Sequence, residues 1–205
     1  MTGTPLLFAL CAAAHGRYPP PHREAETGRG LAGALLIQGA LAGRLQLDDN
    51  RVRSTGHGRT DDPVLEEALD RLGPSARGRA PADWVERLGP WALTRLHPGP
   101  TLPPGGVGTR PDPADPRSRE ALRRVREAVQ GPADAGVAAV AAGALLAAAG
   151  LHAVAWPEWS AAEASRRTAR AVARLGPAGA PVVRAAAAAV SDSRRAAAAA
   201  LAFPG

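Results

Sequence analysis

A chain of 205 residues has room for one sizeable domain. Hydrophobic residues make up 45% of it, yet only four Trp, two Phe and one Tyr are among them. Alanine and leucine must therefore fill the core, which favours closely packed helices over a sandwich or barrel and excludes an aromatic-rich fold. The net charge is +6 and every basic residue is arginine, which suits a polyanionic partner: nucleic acid, an anionic membrane or an acidic protein. A single cysteine, Cys11, excludes an intrachain disulfide framework and a cysteine zinc cluster.

In chain order, residues 5–14 read as a short buried helix. The stretch GRYPPPHREAETGRG (16–30) then breaks it with three prolines and three glycines, leaving a loop with at most one helical turn in HREAET. Gly30 to Arg44 follows as a second helix, with Leu31, Leu35, Gln38, Leu41 and Leu45 on a 3.6-residue period and glycines that let neighbouring backbones approach. RLQLDDNRVRST (44–55) reads as a hairpin, with Leu45, Leu47 and Val52 inward and Asp48-Asp49-Asn50 as the turn. Asp62 and Pro63 are an N-cap and first helical position for a helix whose stripe is Leu65, Leu69 and Leu72. APADWVERLG (80–89) predicts another short helix with Trp84 and Leu88 inward.

Residues 89–116 are so dense in proline and glycine that a long loop is expected, with 97–116 as its flexible part. RSREALRRVREAV (117–129) returns to helix, with Leu122, Val125 and Val129 on one face and Arg119, Arg123 and Arg126 on another. Val137 to Ala155 predicts a central alanine-rich helix, ended by a Trp-Pro-Glu-Trp turn. An arginine-studded helix over 160–175 and a last alanine-rich helix over 181–202 complete the chain. The fold class is mostly α: a central buried helical bundle surrounded by amphipathic helices, with one or two small β-hairpins, in a single domain over 1–205. No basic n-region precedes the apolar run around Cys11, and the Val137–Trp156 run is too weakly hydrophobic for lipid, so a cytoplasmic location is expected.

No catalytic constellation is visible. The five histidines fall into no metal-ligand spacing with one another, and nucleophile-elbow, phosphate-loop and dinucleotide motifs are absent. Cys11 and His15 stand at i, i+4 with no further ligand nearby. The expectation is a non-enzyme with no metal, no cofactor and no catalytic residue. Arginine stripes at 117–126 and 166–174 would suit nucleic acid, but no aromatic residues interleave with them and no recognition helix stands out, so nucleic acid is not favoured.

GLAGALLIQGALAGRLQLDDNRVRST (30–55), followed by TDDPVLEEALDRL (60–72) and PADWVERLG (81–89), resembles the Golgi phosphoprotein 3 family, in its bacterial, actinomycete-like form. PLLFALCAAAHGRY (5–18) is similar to that family's first helix. The resemblance implies a peripheral membrane protein that binds phosphatidylinositol 4-phosphate at a basic face, with a protein client as a further partner. Where the family has an interfacial Trp this chain has Arg23; where it has an Arg after the glycine this chain has Ala32; where it has paired arginines, residues 134–138 read Asp-Ala-Gly-Val-Ala. This marks a diverged paralogue. The substitutes nearest to hand for a lipid headgroup are Arg17, Arg23 and Arg29, with Tyr18 at the interface. An anionic-lipid-binding adaptor, peripheral at the inner membrane face, is thus the expected function. The alternative is a cytosolic protein-interaction module that kept the fold and lost the lipid site, and a nucleic-acid-binding protein comes third.

Overall fold

The computed structural model describes residues 3–13, 23–47, 51–56, 59–73, 79–96, 116–131 and 136–202. The turn at 48–50 and nearly all of the 97–116 segment lie outside these. Helices dominate, as composition required: α1 (Thr4–Ala13), α2 (Glu24–Leu41), α3 (Pro63–Leu72), α4 (Pro81–Leu96), α5 (Pro116–Gln130), α6 (Val137–Ala148), α7 (His152–Ala155), α8 (Ala161–Ala173) and α9 (Ala180–Ala202). The one described hairpin pairs β1 (Leu45–Leu47) with β2 (Val52–Ser54) antiparallel, Gln46 opposite Arg53, and buries Leu45, Leu47 and Val52 as expected.

Two helices form the centre. α2 is buried on every side from Thr27 to Ile37, and α6 from Ala139 to Ala148. They touch one another; α1, α4 and α9 enclose α2, while α1, α5, α8 and α9 enclose α6. Central helices must be thin to be enclosed so fully, which explains the glycines. A Cβ on Gly30 would lie 2.0 Å from Cζ of the fully buried Phe8 on α1. At the crossing of α2 and α4, a Cβ on Gly28 would lie 2.7 Å from the Gly89 carbonyl oxygen, so the two backbones are in direct contact.

Three sequence expectations need correction here. α2 starts at Glu24, not Gly30, and ends at Leu41, so Arg29 is in a helix rather than a loop. Its periodic stripe is only part of the buried surface: Leu31 and Leu35 are buried as expected, but Leu41 is 44% exposed, and residues off the stripe, such as Ala32 and Ala34, are fully buried. A stripe describes a helix covered on one side, and α2 is covered all round.

Second, α4 does not stop at Gly89. It continues through Pro90 to Leu96, burying Leu88, Ala92 and Leu96 against the core. An internal proline forfeits one helical hydrogen bond and costs about 3 kcal/mol. Burial of two leucines, each contributing about 1.5–3 kcal/mol, offsets that. Third, the expected helix 137–155 is two helices. Gly150, at φ +77°, ends the first, with Leu151 N–H donating to the Leu146 carbonyl at 2.7 Å and Gly150 N–H to Ala147 at 3.1 Å. Such a left-handed C-terminal cap strongly favours glycine.

The outer helices follow their sequence signals closely. Asp62 caps α3, its carboxylate accepting from Val64 N–H at 3.0 Å and Leu65 N–H at 3.3 Å. Asp62→Ala is expected to lower stability by about 1 kcal/mol. Urea unfolding with an unchanged m-value is the check. Arg44, just before β1, ties the hairpin to α3 through Glu66 at 2.6 Å. After α7 the turn is closed by Trp156, fully buried and stacked on Trp159 with ring centroids 4.7 Å apart.

Candidate functional site

The residues singled out for headgroup binding gather at the N-terminal end of α2, so that end comes first. Arg17 and Tyr18 lie outside the described residues. Arg23 is the N-cap of α2; its carbonyl accepts from the Thr27 hydroxyl at 2.9 Å, and its side chain makes no capping bond. Arg29, six residues on, points about 120° away around the helix. The helix therefore does not bring the two guanidinium groups together.

Arg29 faces inward. Its side chain is only 9% exposed and forms a two-point contact with Glu86 of α4, Nε to Oε2 at 2.9 Å and Nη2 to Oε1 at 3.1 Å. The Arg29 Nε also donates to the Ser193 hydroxyl of α9 at 3.1 Å, and that hydroxyl donates to Glu86. One arginine thus joins three helices. The Arg29 hydrogen bond, assisted by that of Ser193, holds the Glu86 carboxyl below its ordinary pKa of 4.5, against a partial burial that acts the other way. Charge-assisted, two-point pairs of this kind are the strong ones.

Beside this pair opens a cleft of about 200 Å³ between α2 and α4, with Glu24, Gly28, Pro90 and Leu93 on its walls. Its formal charges are two carboxylates, Glu24 and Glu86, against the one guanidinium. An anion entering there would meet net negative charge and would have to displace Glu86 from Arg29. The expectation that Arg29 stands in a solvated loop, free to grip phosphate, is corrected: the residue lies in a helix core and its charge is already matched. Nothing in the sequence around Arg29 could have disclosed this, because its partners are 57 and 164 residues away.

The other arginines divide sharply. Among the described residues, those of α5 are largely engaged: Arg123 bridges Glu120 at 2.7 Å and Glu127 at 2.6 Å, and Arg126 donates to the Ala155 carbonyl at 2.6 Å. On α8, Arg167 pairs with Glu163 and lies over the Trp159 ring, and Arg174 donates to the Val129 carbonyl. Arg166 and Arg170 of α8 and Arg184 of α9 are exposed and have no ion-pair partner among the described residues. The stripe at 166, 170 and 174 is legible in the sequence; Arg184 is not, because the next cation on its helix face, Arg195, is three turns away.

These cations also explain where the net charge resides. Residues 116–202 hold twelve arginines against six acids, whereas 6–99 hold twelve against eleven. The excess therefore belongs to the outer helices of the C-terminal half.

Cys11 offers no chemistry. It is fully buried in α1, and burial pushes its thiol up to about 12, with Arg126 opposing weakly, so a nucleophilic thiolate is not formed near neutral pH. Among the described residues no group of three or more His, Cys, Asp or Glu side chains is placed to hold a metal ion. None of the described helices is long and apolar enough to cross a membrane. Residues 6–99, from α1 through the end of α4, match the family model described as Golgi phosphoprotein 3 (GPP34). No curated protein matches the chain.

Proposed function

Because residues 6–99 match the Golgi phosphoprotein 3 family model, we propose that the chain is a non-enzymatic adaptor that sits peripherally on an anionic membrane surface, at its cytoplasmic face. The observation that carries this reading is the gathering of positive charge on the outer helices of residues 116–202, with Arg166, Arg170 and Arg184 exposed and unpaired among the described residues. Each arginine held near an anionic leaflet contributes about 1 kcal/mol, falling off within a Debye length of about 8 Å at physiological salt. Attraction of this kind selects for charge. Recognition of a phosphoinositide headgroup would need a formed pocket as well, for which Arg23 with Arg17 and Tyr18 are the proposed contributors.

Vesicle flotation tests the proposal with three compositions: neutral, generic anionic, and anionic with phosphatidylinositol 4-phosphate at matched charge. The protein is expected to float with both anionic sets at low salt and to be released as salt rises. Selectivity for the phosphoinositide at matched charge is the mark of a headgroup pocket, and Arg23→Ala should then remove the selectivity without removing the binding. Absence of flotation with either anionic set at low salt overturns the proposal.

A second reading is a protein-interaction module that keeps the fold without a lipid site. The neutralisation of Arg29 by Glu86 favours it, because a guanidinium close to the substituted headgroup positions is committed to the fold. The same flotation, negative throughout, would select this reading.

A further inference from the structure

α8 and α9 both pack on α6 and touch one another, and a groove of about 300 Å³ is lined by all three helices, with α6 as its floor. The connection of six residues, 174–179, makes α8 and α9 antiparallel. Ser165, Thr168, Ala169 and Val172 of α8 line one wall and Arg184, Ala187, Ala188 and Ser191 of α9 the other, so in an antiparallel pair Ser165 and Ser191 fall toward one end and Val172 and Arg184 toward the other. From Arg184 to Ser191 the groove is about 10 Å long, seven residues at about 1.5 Å each. It therefore has a guanidinium at one end, hydroxyls at the other, and a floor of Ala144, Ala147 and Ala148 between them.

Small side chains explain why the groove stays open. Methyl groups on both walls are too short to meet across it, so the lining atoms lack partners on one side and forgo dispersion contacts there. A slender apolar occupant restores those contacts. In the middle of the groove the Thr168 hydroxyl is turned back onto the Ala164 carbonyl at 2.8 Å. Arg184 is the only charged residue on the lining and has no ion-pair partner among the described residues. The volume is at the low end of the range of about 300–1,000 Å³ for ligand clefts, which fits one unbranched chain and not two.

We propose that this groove binds a single-chain aliphatic carboxylate, its head on Arg184 and its chain along the alanine floor. A planar guanidinium accepts a carboxylate at two points, and charge complementarity fixes the orientation of a chain that the alanines alone could not orient. The site is on helices outside residues 6–99 and shares Arg184 with the proposed membrane surface, so Ala188→Phe, which leaves every cation in place, is the variant that separates the two.

Titration calorimetry of the full chain with decanoate below its micellar concentration tests this, with acetate and 1-decanol as the head-only and chain-only controls. Saturable binding of decanoate at one site per chain is expected, with acetate silent and 1-decanol weaker. Arg184→Gln should weaken decanoate about tenfold or more, the scale of one charge-assisted contact. Ala188→Phe, at an exposed position, should fill the groove and abolish binding with the thermal midpoint unchanged. Unaltered decanoate affinity in either variant, or equal affinity for 1-decanol, overturns the assignment. So does a dimer that Ala188→Phe dissociates, since the groove would then hold a second copy. Flotation of Ala188→Phe with anionic vesicles, alongside lost decanoate binding, separates this site from the membrane surface.

Discussion

Gly30→Ala is expected to destabilise the protein by about 1–2 kcal/mol, although alanine is the better helix former by about 1 kcal/mol. The reason is Phe8. The added Cβ would lie 2.0 Å from its ring tip, with Cε2 and Cε1 at 2.6 and 2.7 Å. Phe8 is fully buried, so its ring has no solvent to move into. Overpacking of this kind costs about 1–3 kcal/mol or more and exceeds the propensity gain, and Gly30→Leu should cost about 3 kcal/mol or more. Urea midpoints at constant m-value are the measurement. The double variant Phe8→Leu/Gly30→Ala supplies the control, since its loss should be smaller than the sum of the two single losses. A stabilising Gly30→Ala would show that α1 and α2 are not in this contact.

The second large effect is asymmetric. Glu86→Ala leaves the Arg29 guanidinium buried with only a neutral hydroxyl beside it. Stripping one partner from a buried pair costs about 3–5 kcal/mol; because Glu86 is 55% exposed and water screens the pair, about 2–3 kcal/mol is expected. Arg29→Met is expected to cost under about 1 kcal/mol, because it leaves a carboxylate that water can reach and an apolar chain where the guanidinium stem was. Equal losses in the two variants would refute the arrangement. Acidity gives an independent test. The Glu86 carboxyl has a lower pKa folded than unfolded, so its contribution is present above about 4.5 and is lost as pH falls through the folded value. The stability of wild type should therefore fall more steeply below about pH 4.5 than that of Glu86→Gln, read from urea midpoints across that range.

Much of this was legible from residues that act locally. The Asp62 cap, Pro63, the Leu45/Leu47/Val52 pattern and the amphipathic α5 and α8 all depend on neighbours within a few positions, and the sequence displays them. α2, α4 and α6 were misread at their ends for a shared reason. Pro90 and the glycines of α2 are penalties in an isolated helix, offset in the fold by the burial of Leu88 and Leu96 and by the α2–α4 contact through Gly28 and Gly89. Gly150 lies in an alanine-rich run whose composition predicts one continuous helix, and it supplies the left-handed cap that divides α6 from α7. The candidate site was the least legible part. Arg29 had the right chemistry for phosphate and the wrong surroundings, because Glu86 and Ser193 reach it only in the folded chain.

The Arg29–Ser193 contact carries one more consequence. A family model recognises residues 6–99, but α9 closes over α2, and Val190 and Leu145 stand within 3 Å of where a Gly33 side chain would begin. The stretch that inheritance kept recognisable is thus not a stretch that can be cut out and studied. Its central helix has α6 and α9 of the remaining chain among its walls, so the unmatched part is free to vary in sequence only within what those walls allow. Selection on α9 is expected to preserve its inner face, Val183, Ala186 and Val190, while exposed positions outside the groove change.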